Sequence, residues 1–110
     1  MSHNLKEFVS LQQKMLTLPQ VEIEIRHHFA EGIYCREMRA PANSVIMGKI
    51  HKTEHLNILS AGKVAVSTPE GETTVYEAPC MVHSLPGTKR VLFGITDYVW
   101  TNIHYNPIRS

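Results

Sequence analysis

Apolar and polar residues alternate along most of this chain, beginning at Val21. Alternation with a period of two is typical of strands that bury one face. The strand-like runs, separated by turn residues, are Val21–Phe29, Ile33–Arg39, Val45–Leu59 with an interruption near its histidines, Lys63–Ser67, Thr73–Glu77, Cys80–Leu85, Arg90–Ile95 and Tyr98–His104. Because no helical crossover separates these runs, the pattern favours an antiparallel sandwich or barrel over a parallel sheet.

The first residues show a different pattern. Residues 4–17 carry an imperfect apolar stripe, with Asn4 as a cap and Glu7 placed to complete it, and Pro19 ends the segment. At 110 residues the chain is long enough for one core. We therefore expect a short N-terminal helical segment over 1–19, followed by a single all-β domain over 20–110.

Composition excludes several classes of function. The 11 basic and 10 acidic residues nearly balance. We therefore do not expect the protein to bind duplex nucleic acid through an overall positive charge. No apolar run approaches the ~20 residues that cross a bilayer, and the N-terminus lacks a signal-like segment. We expect a cytoplasmic protein in which Cys35 and Cys80 are buried thiols rather than a disulfide or a zinc motif.

Two groups of polar side chains are candidates for a binding site. His51 and His55 stand four residues apart in a strand-like run, so both side chains can leave the same face. The last run places four polar or aromatic side chains on one face, and a Pro-Gly turn precedes two basic residues. This second group consists of Tyr98, Trp100, Asn102 and His104 with Lys89 and Arg90. Cations, an indole and amide groups suit an anionic, planar ligand such as a nucleotide.

The segments Gly48–Gly62 and Tyr76–His83 resemble the two metal-binding motifs of the cupin superfamily. When Gly62 is taken as the closing glycine of the first motif, His51 falls on a ligand histidine, whereas Lys49 and His55 replace another histidine and the usual glutamate. The resemblance implies a single cupin-type β-barrel, or jelly roll. Stretches over residues 54–59, 86–90 and 97–104 also resemble small cupin-like proteins of bacteriophages, most of unassigned function.

The resemblance implies that His51, His55 and His83 could share a divalent metal such as iron, zinc or nickel. Lys49 opposes this reading because an ammonium group in the pocket competes with a cation and favours an anion. The sequence leaves open whether the cofactor is such a metal or none. We also expect self-association into a homodimer or larger assembly.

Three hypotheses follow for the function. The first is a phage accessory protein that binds a small anionic, nucleotide-like metabolite through Lys49, His51, His55 and the second polar group. The second is a metal-dependent cupin enzyme, an oxygenase or isomerase. The third is a structural or assembly component of a virion. Whether the chain is an enzyme is left open by the sequence.

Overall fold

The computed structural model describes residues 23–48 and 52–107, and this part of the chain forms nine strands. Their bounds are β1 Glu24–Ala30, β2 Gly32–Ala40, β3 Val45–Met47, β4 His55–Ala61, β5 Lys63–Ser67, β6 Thr73–Glu77, β7 Cys80–Ser84, β8 Val91–Gly94 and β9 Tyr98–Asn106. The strands predicted from the alternating pattern are confirmed, and those of β5 and β6 match to the residue. The helix predicted over 4–17 lies outside the described residues.

The strands form two antiparallel sheets that face each other. The larger sheet has the order β1-β2-β9-β4-β7, and the smaller has the order β3-β8-β5-β6. Consecutive strands pair in β1–β2 and β5–β6, but other neighbours are distant in sequence, as when β2 pairs with β9 and β5 with β8. This architecture confirms the predicted all-β jelly roll. Within the described residues, no helix is long and apolar enough to cross a membrane.

The core lies between the two sheets because each strand sends alternate side chains inward. From the larger sheet, Leu59, Trp100 and Met38 occupy neighbouring register positions and are all buried. Val64, Val66 and Leu92 of the smaller sheet belong to the same cluster. We call the face of the larger sheet that carries Leu59 its inner face.

The inner face changes character along the strands. Leu59, Trp100 and Met38 lie side by side on three paired strands. The next inward-facing position on each strand, two residues away, is occupied by Asn57, Asn102 and Arg36 respectively. The sheet therefore has an apolar zone at one end of its inner face and a polar zone towards the other.

A turn at Gly62 connects β4 of the larger sheet to β5 of the smaller one. The φ of Gly62 is 86°, in the left-handed region that glycine adopts without strain.

Candidate functional site in the cavity between the sheets

A cavity of about 270 Å³ opens between the two sheets at the polar zone. Strands of both sheets and the segment before β8 contribute to its wall. The lining residues most relevant to chemistry are Arg36, His55, Asn57, Arg90, Trp100 and Asn102. Ile46 and Leu92 cover the opposite side. A largely formed concavity with an apolar wall and a few convergent polar groups is typical of a small-molecule site.

Strand alternation places the central polar groups in the cavity. His55 and Asn57 are two residues apart in β4, and Trp100 and Asn102 are two residues apart in β9, so all four point inward. The Nδ1 atom of His55 lies 3.2 Å from the carbonyl oxygen of Thr53. Because a carbonyl oxygen only accepts, Nδ1 of His55 carries the proton in this contact.

A chain of hydrogen bonds crosses the polar zone. Asn102 donates from Nδ2 to Asn57 Oδ1 at 2.5 Å, and Asn57 donates from Nδ2 to Ser84 Oγ at 2.7 Å and to the Val82 carbonyl at 3.1 Å. Arg90 donates from Nη1 to the same Ser84 oxygen. The chain therefore links β9, β4 and β7 to the guanidinium that lines the cavity.

The Val82 carbonyl fixes the orientation of both amides. Because this oxygen only accepts, the Asn57 atom beside it must be Nδ2, which leaves Oδ1 of Asn57 facing Asn102. Asn102 must then turn its own Nδ2 towards Asn57. The Oδ1 atom of Asn102 is thereby directed away from Asn57, and Asn102 offers a hydrogen-bond acceptor at the cavity wall.

Two guanidinium groups give the cavity its charge. Arg90 also donates from Nη2 to the His83 carbonyl at 3.3 Å, and three of its five N–H groups are left beyond these two bonds. Burial lowers the pKa of Arg90, with Tyr76 opposing the shift, but an arginine with an ordinary pKa above ~12 stays charged at neutral pH. Arg36 is half-buried, and no aspartate or glutamate of the described chain lines the cavity with it.

The structure brings together four of the predicted site residues. His55, Arg90, Trp100 and Asn102 line the cavity, and the ring of His104 lies 4.5 Å from that of His55 between centroids. Lys49 and His51 lie outside the described residues, although Gly48, the residue before Lys49, lines the cavity. The roles predicted for Lys49 and His51 stay predictions.

Three other predicted residues lie away from the cavity. Tyr98 points inward but is only 2% exposed, and it packs in the apolar zone rather than reaching the cavity. Lys89 is half-buried and does not line the cavity. His83 stands opposite Leu56 in the register, on the outer face of the sheet, where its Nε2 pairs with a carboxylate oxygen of Glu54.

The described residues do not fit a cupin metal centre by themselves. His55 and His83 leave opposite faces of the sheet, so the structure does not bring this part of the predicted trio together. Throughout residues 23–48 and 52–107, no three side chains among histidine, cysteine, aspartate and glutamate are grouped as metal ligands would be. We therefore derive no chemistry through a metal.

Sequence reasoning missed Arg36, Asn57 and Ser84. Asn57 follows His55 by two residues, so strand alternation alone was a sufficient signal for it. Arg36 stands opposite Asn102 because β2 pairs with β9, and Ser84 stands opposite His55 because β7 pairs with β4. These two residues needed the pairing of strands that are distant in sequence, which no local pattern reveals.

Comparison with known proteins defines the fold. An ethanolamine utilization protein Q of Salmonella typhimurium LT2 superposes with a TM-score of 0.65 at 12% identity, covering 78% of this chain and 71% of that one. A cupin superfamily protein of Desulfitobacterium hafniense DCB-2 gives a TM-score of 0.67 at 4% identity over 80% and 81%. An RmlC-like cupin of Methanocaldococcus jannaschii gives 0.65 at 10% identity over 78% and 82%.

These similarities show that the chain has the cupin fold, with the double-sheet jelly roll expected from its sequence. No protein-family model and no curated protein sequence matches it. Since identities this low show the fold alone, the activity of this chain has to be argued from its own cavity.

Proposed function

We propose that this protein binds a small anionic molecule in the cavity between its sheets. The observation that carries the proposal is the pair of guanidinium groups, Arg36 and Arg90, in a cavity whose described wall contains no carboxylate. A partly desolvated cation gains more from a bound anion than a cation in open water, because nearby charges interact more strongly where water is scarce. Arginine also offers paired donors that match phosphate and carboxylate oxygens.

The chain of hydrogen bonds makes the cavity selective in addition to the attraction that its positive charge provides. Ser84 and the His83 carbonyl hold the Arg90 guanidinium, so less side-chain freedom is lost when an anion binds. Asn102 Oδ1 supplies an acceptor at the same wall. The preferred ligand therefore combines an anionic group with a hydrogen-bond donor, as many phosphorylated metabolites do.

The wider role follows the first of the sequence hypotheses. Two guanidinium groups that line one cavity suit the oxygens of an anion, which favours binding or sequestration. The resemblance to bacteriophage proteins supports an accessory role in the host cytoplasm, and self-association into a dimer or larger assembly is part of this proposal. The enzyme and virion hypotheses are the alternatives that experiment has to exclude.

The direct test is calorimetric titration with phosphorylated metabolites, comparing the wild type with Arg36→Ala and Arg90→Ala. A charge-assisted hydrogen bond contributes about 1.5–3 kcal/mol, so each variant should bind about 10- to 150-fold more weakly. Arg39→Ala is the matched control, since Arg39 lies on the same strand but is exposed and paired with Glu37. This control should bind like the wild type.

Two results would contradict the proposal. Equal weakening by Arg36→Ala and Arg39→Ala would show that only the net charge of the protein matters. Stoichiometric iron, zinc or nickel in untagged protein, lost in His51→Ala, would favour the metal-dependent enzyme instead. Native mass spectrometry of the same samples measures the assembly and any molecule that copurifies.

A further inference from the structure

A second concavity, of about 310 Å³, lies at the end of the larger sheet, where β1 turns into β2 and β9 ends. We call it the aromatic cleft. It is lined by Phe29, Tyr34, His104, Tyr105 and Asn106. Phe29 is 52% exposed, so a large ring surface stands open to solvent there, whereas Tyr105 stands opposite Ile33 and its side chain leaves the outer face of the sheet. Rings exposed in a concavity are typical of binding sites rather than of an ordinary surface.

A row of rings connects the aromatic cleft to the cavity. Ring centroids lie 5.0 Å apart between Phe29 and Tyr34, 6.2 Å apart between Tyr34 and His104, and 4.5 Å apart between His104 and His55. The rings of these pairs lie within 30° of parallel. The row crosses β1, β2, β9 and β4 on the inner face, and His55 at its end lines the cavity.

We propose that the aromatic cleft binds the flat ring of the same ligand whose anionic group the cavity holds, a step that depends on the proposed function. The ligand is then an anion with a planar ring attached, of the chemical class of a nucleoside monophosphate. A flat ring packs well on exposed aromatic side chains because both lose apolar surface to water and their faces stack.

The spacing of the two sites fits one small molecule. Tyr34 and Arg36 are two residues apart in β2, so they share the inner face and their Cα atoms lie ~7 Å apart along the strand. The row itself spans three gaps between strands of ~4.8 Å each. A ligand whose charge and ring are separated by a sugar bridges Arg36 and the aromatic cleft, whereas a bare anion reaches only the arginines.

Tyr34 is also held in place before any ligand arrives. Its hydroxyl lies 2.6 Å from Nδ1 of His27, and the two rings stack with centroids 5.8 Å apart. A ring fixed by its neighbours loses little freedom when a ligand packs on it. Asn106 adds an amide at the rim of the aromatic cleft, where the polar edge of a heterocycle would meet it.

The test compares adenosine monophosphate with ribose 5-phosphate, which keeps the sugar and the phosphate but lacks the ring. In titration calorimetry on the full chain, adenosine monophosphate should bind about tenfold more tightly. Phe29→Ala should remove this preference and leave the affinity for ribose 5-phosphate unchanged, whereas Tyr105→Ala should keep the preference because Tyr105 leaves the outer face of the sheet. The matched control is Phe93→Ala, because Phe93 is 39% exposed on β8, where its neighbour Leu92 faces the cavity.

The outcomes separate this inference from the proposed function. If the two probes bound with equal affinity and Arg36→Ala weakened both, the ring-binding role of the aromatic cleft would be wrong. The proposed anion site in the cavity would still stand. If Phe29→Ala abolished binding of both probes, the ring-binding role would also be wrong, because Phe29 would then be needed for folding or assembly rather than for contact with the ring. Failure of both probes to bind the wild type would overturn the two proposals together.

Discussion

Replacing Asn57 with leucine tests whether the polar zone is a fixed part of the fold. Asn57 is 1% exposed, accepts one hydrogen bond from Asn102, and donates to Ser84 and the Val82 carbonyl. Leucine has a similar volume but makes none of these bonds. Each buried partner left without a hydrogen bond costs about 1–3 kcal/mol, so we expect a loss of about 3 kcal/mol in the free energy of unfolding.

Urea denaturation followed by circular dichroism measures this loss. With a slope of about 2 kcal/mol per M for a domain of this size, the midpoint of the urea transition should fall by about 1.5 M. Asn106→Leu makes the same chemical change at the end of β9 and should shift the midpoint far less. The double variant Asn57→Leu/Asn102→Leu should lose less than the sum of the two single variants, because both partners of one bond are removed together.

One result would refute this reasoning. A loss below about 1 kcal/mol in Asn57→Leu would mean that water or a rearranged Ser84 satisfies the freed groups. The polar zone would then be loosely organised, and the fixed orientation of the Asn102 amide would no longer follow.

The remaining predictions concern stability. Burial raises the pKa of Tyr98 to about 12, and Ser44 opposes this increase. As the pH rises, the Tyr98 hydroxyl therefore ionises in the unfolded chain before it ionises in the folded protein. The stabilisation is complete below about pH 10 and should be lost towards pH 12, and urea midpoints of Tyr98→Phe should lack this part of the decline. Gly62→Ala places a methyl group against the Asp97 carbonyl as well as straining a left-handed residue, whereas Gly87→Ala brings only the strain of its φ of 78°. The melting temperature should fall much more for Gly62→Ala than for Gly87→Ala. Equal decreases would contradict the close approach of the Asp97 carbonyl to Gly62.

The strands could be predicted from sequence because each is a local pattern. Alternation in Lys63–Ser67 and Thr73–Glu77, with turn residues between them, defines both the strands and the hairpin. The interruption predicted near the histidines of Val45–Leu59 agrees with the separation of β3 from β4. The strand predicted over Val21–Phe29 corresponds to β1, which begins at Glu24, and Val21 and Glu22 lie outside the described residues.

The site could be predicted only in part, because it is made by strand pairing. Trp100 and Asn102 were found by alternation within β9, and His55 was found by its spacing in β4. Alternation could not show that Tyr98 belongs to the apolar end of the same face, since Tyr98 and Trp100 have identical parity. Nor could it place His83 on the outer face, because that depends on its register with Leu56.

The division of the inner face is itself an argument for function. Leu59, Trp100 and Met38 show that this sheet packs an apolar core where the smaller sheet covers it. A fold selected for stability alone would extend such residues into the next register positions, since buried polar groups add little stability even when they are paired. The chain instead places Asn57, Asn102 and Arg36 there. Polar residues that break the pattern of an otherwise apolar core are expected where a ligand must be held.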